Sequence, residues 1–214
     1  MKKIIFLTLL IISITILSAC QNEIENDDDI EEELPVETEQ YQMYLNDTNP
    51  RVTIVVENHG TLVLELFYEV APNTVRNFIQ YVEDGFYNGL IFHRIIEGFM
   101  IQGGGGANPA CTIYGEFKNN GFENNLLHSR GVISMARTMA PNSATSQFFI
   151  MHQNAPHLNS NYAGFGGLIS GFDVLDSIAT VTTGAQDRPL EDVVIRSVTI
   201  DLRGQTYSPR ECHN

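Results

Sequence analysis

The stretch from Phe92-His93-Arg94 through Gly98-Phe99-Met100-Ile101-Gln102 to Gly103-Gly104 constrains this chain more than any other. It sets one arginine and one amide among large apolar side chains, and glycine punctuates it at Gly98 and at four consecutive positions, 103–106. At strand period neighbouring side chains leave on opposite faces. Met100 and Gln102 then share one face and Phe99 and Ile101 the other, unless a turn or bulge intervenes. Glycines at both ends favour such an irregularity. The expected product is a wall carrying one guanidinium beside an apolar floor.

Around this stretch the chain alternates short β-rich runs with turn residues. The runs at 52–56 and 61–67 flank Asn58-His59-Gly60, a hairpin signal. Pro72 opens a helix with Val75, Phe78, Ile79 and Val82 on one stripe and Gly85 just past its end. Further strands are predicted at 91–95, 99–102, 131–136, 147–151, 164–169 and 193–202. A second helix is predicted at 172–179, where Val174, Leu175 and Ile178 share a side. Many strands with two helices suggest a mainly β, antiparallel barrel capped at its ends.

Several separated motifs carry a family resemblance. Phe92-His93-Arg94, the run 98–104, Ser134-Met135-Ala136, Pro141-Asn142, Ser146-Gln147-Phe148-Phe149, His157-Leu158 and Phe165-Gly166 stand in register. From about residue 51 to 202 the chain resembles the cyclophilin-type peptidyl-prolyl cis-trans isomerases. The resemblance implies a closed eight-stranded antiparallel β-barrel capped by two α-helices, with the groove on its outer wall. It also implies an isomerase acting on proline-containing polypeptides without cofactor or metal. Carried over by position, Arg94, Gln102 and Phe99 are the expected catalytic set. Met100, Ala136, Arg137, Gln147, Phe149, His157, Leu158 and Tyr162 are the expected substrate-binding set. A module that binds proline peptides without turnover is the alternative, and Arg94 favours the enzyme because binding alone needs no guanidinium.

The chain also departs from the family pattern. It has no tryptophan, and His157 stands where cyclosporin-sensitive members carry one, which implies weak binding of that drug. The loop 103–113 is shorter than in common eukaryotic members, and 137–140 carries one extra residue. Both border the groove, so substrate preference does not transfer.

The ends read differently. Met1-Lys2-Lys3 precedes an apolar run at 4–17 and then Leu17-Ser18-Ala19-Cys20. The run is shorter than the roughly 20 residues of a spanning helix, so 1–19 is a signal peptide. The tetrad resembles the bacterial lipobox, which implies lipidation at Cys20 and an exported protein anchored to a bacterial membrane. Residues 21–50 hold eleven acidic side chains and no Lys or Arg, so 20–50 is expected to be the lipidated cysteine plus a disordered linker. The isomerase domain is expected at 51–203 and a tail at 204–214.

Eleven of the 26 acidic residues lie in that linker and only Lys2 and Lys3 of twelve bases lie before it, which leaves 51–214 near −5. With no basic stripe, nucleic acid is excluded as a partner. The spacing of His152 and His157 matches no chelating pattern, and Ser134, Ser143 and Ser146 lack the elbow of a serine hydrolase. The chain is read as a monomer. The sequence leaves open whether Cys111 and Cys212 pair.

Overall fold

The computed structural model describes residues 40–213; the leader, Cys20 and most of the acidic stretch lie outside them. Eight strands form, β1 (Arg51–Val56), β2 (Gly60–Leu66), β3 (Phe92–Ile96), β4 (Met100–Gly103), β5 (Val132–Met135), β6 (Phe148–Met151), β7 (Gly164–Ser170) and β8 (Ile195–Asp201). Two helices join them, α1 (Pro72–Glu83) and α2 (Phe172–Ala179). Each element falls within a residue or two of its expected range. Among the described residues no helix is long and apolar enough to cross a membrane.

The β1–β2 hairpin follows from its turn residues and its alternation. Asn58 and Gly60 take positive φ of 61° and 130°, and buried positions alternate along β1 at Val52, Ile54 and Val56. Helix α1 sinks its predicted stripe, with Val75, Phe78, Ile79 and Val82 all buried. Its first residues lack a local side-chain cap, and a distant carboxylate supplies one. Buried Glu116 accepts from the backbone N–H groups of Asn73 at 3.0 Å and Thr74 at 2.7 Å, and from the Thr74 hydroxyl. That satisfies donors a helix start leaves open and places negative charge at its positive end.

All strand pairings are antiparallel, in the order β3-β4-β6-β5-β7-β2-β1-β8. This corrects the expectation of a closed barrel: the sheet curls into an open half-barrel whose edges are β3 and β8. Those edges form no continuous ladder: they touch at the isolated pair Ile91–Val194 and through the backbone bonds from Phe92 N–H to the Val193 carbonyl and from Ile195 N–H to the Leu90 carbonyl, at 3.0 and 2.8 Å. Immediately beyond these contacts the register of β3 shifts between Phe92 and Arg94, and a shift of this kind bends a strand away from its course. The concave side holds the main core, in which Phe78 packs against Tyr87, Phe148 and Phe165 at centroid distances of 5.1–5.5 Å. A second apolar cluster lies on the other side of the sheet, built on Phe67, Met100, Phe149, Met151 and Leu158.

Packed structure continues on both sides of 51–203. Tyr41 is fully buried in the second cluster, and its hydroxyl donates to the Leu168 carbonyl at 2.6 Å. Tyr44 stacks on Phe67 at 5.6 Å. Residues 40–50 are therefore packed structure, and the acidic composition of 21–50 as a whole concealed them. The 204–214 segment is likewise more than a tail. Arg210 reaches Asn77 at 2.8 Å and lies over the Tyr81 ring at 4.3 Å, and Arg76 pairs with Glu211 at 2.9 Å. Cys212 bonds Cys111 across a Cα–Cα distance of 5.5 Å, which settles the pairing the sequence left open.

Candidate active site

One row of the sheet sets the site. Arg94 on β3 pairs directly with Gln102 on β4, Gln102 with Phe149 on β6, and Phe149 with Ser134 on β5. Strand alternation sends Ile101 into the main core and leaves Met100 and Gln102 for the outer face. Phe99 departs from the strict alternation expected, because it precedes β4. Gly98, at φ 73°, turns the chain there, a conformation glycine adopts at no steric cost. Phe99 thus joins Met100 instead of opposing it.

The result is a pocket of about 160 Å³ lined by Arg94, Phe99, Met100, Gln102, Ala136, Arg137, Phe149, Leu158 and Tyr162. Met100, Phe149 and Leu158 form a buried floor, and Arg94 stands at the rim with its side chain 42% exposed. Gln102 donates through Nε2 to Oε1 of Gln147 at 2.9 Å, which leaves its own carbonyl oxygen available to a ligand. Gln147 belongs to an adjoining hollow that it shares with Gln102, Ala136, Arg137, Thr138, Ser143 and Thr145. His157 lies outside the pocket lining, exposed and stacked on Phe99 at 5.6 Å. All the expected site residues of the domain are therefore gathered here, with Gln147 and His157 one step back from the pocket.

The walls are held by polar contacts behind the apolar surface. Arg137 donates to the Asn161 carbonyl at 2.7 Å and lies between the rings of Phe117 and Tyr162, at 5.0 and 4.6 Å. Tyr162 meets Phe149 edge-on at 5.8 Å. Beneath Phe149, His128 stacks at 6.1 Å and contacts the Ser134 hydroxyl through Nε2 at 2.9 Å. Burial pushes the His128 imidazole down to about 4, against the opposing effect of its contact with Asn159. Burial also lowers His93, with Arg188 adding to the effect.

Two contributors escape the sequence reading. Asp187 accepts from Arg94 Nε at 3.1 Å, and nothing in an irregular loop ninety-three residues downstream signals that meeting. His152 braces the Gly98 turn through its ring Nδ1 at 2.8 Å. Weighing its spacing to His157 for metal binding could not reveal this role.

A guanidinium over an apolar pocket, with an amide acceptor beside it, suits a ligand that is part ring hydrocarbon and part peptide backbone. Comparison with known proteins agrees. The family model described as cyclophilin type peptidyl-prolyl cis-trans isomerase/CLD matches residues 51–200. Peptidyl-prolyl cis-trans isomerase B of Escherichia coli is 46% identical over 158 residues, covering 67% of this chain and 95% of that one. A putative peptidyl-prolyl cis-trans isomerase of Staphylococcus saprophyticus is 34% identical, covering 69% and 90%. The crystal structure of a Cryptosporidium parvum cyclophilin type isomerase, determined in the presence of the dipeptide Ala-Pro, superposes with a TM-score of 0.64. It shares 32% identity and covers 71% of this chain and 98% of its own. With the fold, the pocket and these relatives in agreement, the chain belongs to the cyclophilin-type peptidyl-prolyl cis-trans isomerases.

Proposed function

We propose that this isomerase acts on exported polypeptides at a membrane surface, held there by lipid on Cys20, and that Arg94 is its catalytic group. The observation that carries the chemistry is the position of the guanidinium at the rim of the Phe99, Met100, Phe149 and Leu158 pocket. Rotation about an X-Pro bond must break amide resonance, a barrier of about 20 kcal/mol. The pocket holds the proline ring while the preceding carbonyl turns. As the prolyl nitrogen loses conjugation and becomes pyramidal, its lone pair accepts an N–H of Arg94. That bond is stronger in the transition state than in the planar ground state, which is the condition for catalysis. Because Nε is engaged by Asp187, the Nη groups are the ones that meet substrate. Gln102 orients the peptide through its free carbonyl oxygen, and Ala136 and Arg137 pair with the substrate backbone.

The leader and the Leu17-Ser18-Ala19-Cys20 tetrad support the location. So does the Cys111–Cys212 bond, since disulfides persist in oxidising compartments. Two or more acyl chains anchor stably where one is marginal, and an acidic tether of about twenty residues, the stretch before the packed segment that starts at residue 40, would reach about 25 Å or more from the surface.

Protease-coupled or NMR-exchange isomerisation of an Ala-Pro peptide, comparing wild type with Arg94→Ala, tests the chemistry. Loss of about 100-fold or more in kcat/KM is expected from removal of one transition-state donor. An unchanged rate would remove Arg94 from the mechanism. Membrane fractionation of Cys20→Ala tests the anchor: release to the soluble fraction is expected, and retention would refute lipid attachment there.

A further inference from the structure

The geometry points to Asp187 as a positioning residue for Arg94, an assignment that rests on the reading of Arg94 as the catalytic group. Asp187 belongs to the short turn Ala185–Asp187, and two features set that turn apart. Gln186 and Asp187 both hold φ at 59°, two consecutive non-glycine residues in the left-handed region, where their Cβ atoms crowd the backbone. The loop also closes on itself at its base, through the Thr183–Pro189 bridge and the Gly184 N–H to Arg188 carbonyl bond at 2.8 Å. A strained tip is thus held rigidly, and what it holds out toward β3 is the Asp187 carboxylate, 3.1 Å from Arg94 Nε.

Stability does not account for this arrangement. Both side chains are over two-fifths exposed, at 42% and 43%, and exposed ion pairs contribute little to folding. Strained backbone of this kind persists where the surrounding structure has a use for it. The neighbouring cation does not compete for the carboxylate, because Arg188 is engaged by Asp192 at 2.9 Å.

What the pair does is geometric. An arginine on an exposed strand carries large rotamer freedom, and its planar fork is directional only when its plane is set. Asp187 binds the Nε edge alone, fixes that plane, and leaves both Nη groups for substrate. The carboxylate comes from another part of the chain, so the guanidinium is held from two directions, β3 beneath and the 183–189 loop beside it.

Two substitutions of Asp187 in the Ala-Pro isomerisation assay test this. Asp187→Ala is expected to lower kcat about tenfold with KM within twofold, and to change nothing further in an Arg94→Ala background. Asp187→Asn, which keeps an acceptor oxygen, is expected to retain most of the rate. The Arg94 Nε–H resonance is expected to be sharp and slowly exchanging in wild type and lost to exchange in Asp187→Ala. An unchanged Nε–H signal or unchanged kcat in Asp187→Ala overturns the assignment, and so does an equal loss from Asp187→Ala in the Arg94→Ala background. Arg94→Ala alone at wild-type rate overturns the prior reading instead, so the two failures are separable.

Discussion

The backbone N–H of Gly98 donates to the ring Nδ1 of His152 at 2.8 Å, while the backbone N–H of His152 returns a bond to the Phe99 carbonyl at 2.9 Å. Nδ1 is therefore the unprotonated nitrogen, and Nε2–H donates to Asp176 at 3.0 Å. The Arg130 guanidinium grips the same carboxylate through two bonds, at 2.8 and 3.1 Å, and holds it below the usual carboxylate range. A chain of polar contacts thus runs from α2 to the turn that presents Phe99. Replacing the ring by His152→Phe leaves the Gly98 donor without its partner, a loss of about 1–3 kcal/mol. Chemical denaturation is expected to show it, and kinetics to show a rise in KM larger than the fall in kcat, because Phe99 shapes the pocket and Arg94 is untouched. Unaltered KM would mean that the turn holds its place unaided.

How much of this was legible in the sequence depends on whether the signal was periodic. Helix α2 and the stripe of α1 follow from side-chain spacing alone. The pocket set follows from the family resemblance, because by burial tendency alone Phe99, Met100 and Phe149 read as core side chains. Phe99 joins Met100 through the irregularity that the flanking glycines favour, a turn at Gly98 that suspends the alternation one residue before the strand. Asp187 was invisible because its loop has no period and its left-handed positions are filled by Gln and Asp instead of glycine. The open edge between β3 and β8 is set by how far two strands distant in the chain pair, which leaves no compositional trace. Tyr41, Tyr44 and Leu45 did carry a signal, a small apolar group inside an acidic run, but charge summed over 21–50 masked it.

Acid should weaken the protein before its exposed carboxylates titrate. His128 is buried and neutral in the fold, at about 4 against 6.5 in the unfolded chain. A depressed folded pKa makes the unfolded state the better proton acceptor, so this contribution is complete above pH 6.5 and is lost as pH falls toward 4. Its full extent is about 3 kcal/mol. Asp176, also lowered, acts in the same direction at lower pH. Urea midpoints at pH 7 and pH 5 are expected to separate in wild type and to separate less in His128→Gln, where buried His93 still contributes in the same direction. An equal separation in the two proteins would assign the acid sensitivity elsewhere.

The disulfide ties the C-terminal strap to the loop beside the groove. Cys111 and Cys212 are 101 residues apart, and closing a loop of that size is associated with about 2–5 kcal/mol. The double variant Cys111→Ser, Cys212→Ser is expected to lower the denaturation midpoint accordingly. Activity in the folded protein is expected to persist, since neither sulfur lines the pocket. A midpoint equal to wild type would show that Arg210 and Glu211 hold the strap without the bond.

His157 offers a smaller apolar face than an indole where it stacks on Phe99, and it has no place in the pocket lining. Weak cyclosporin inhibition with full isomerase activity is expected, and His157→Trp should tighten inhibition by a factor of ten or more if area and a donor N–H are worth about 1.4 kcal/mol together. Nanomolar inhibition of wild type would refute the role given to this position.

Tyr41 makes the N-terminal boundary testable at atomic scale. A Cβ built on Gly167 would meet three atoms of the Tyr41 ring at 2.4–2.9 Å, so the ring lies flat against a strand that only glycine leaves open. Tyr41 shares its apolar cluster with Met100, Phe149 and Leu158, the floor of the pocket. Removing the ring by Tyr41→Ala is expected to cost about 3–5 kcal/mol, as for other buried aromatics. Gly167→Ala should cost a comparable amount by expelling the ring. If the contact is what requires glycine, the two are not additive, and Gly167→Ala introduced into Tyr41→Ala should cost little more. Denaturant unfolding of the four proteins decides it. Full additivity would show that Gly167 is required by something other than Tyr41, whereas strong coupling would make residues 40–50 part of the catalytic domain's own core.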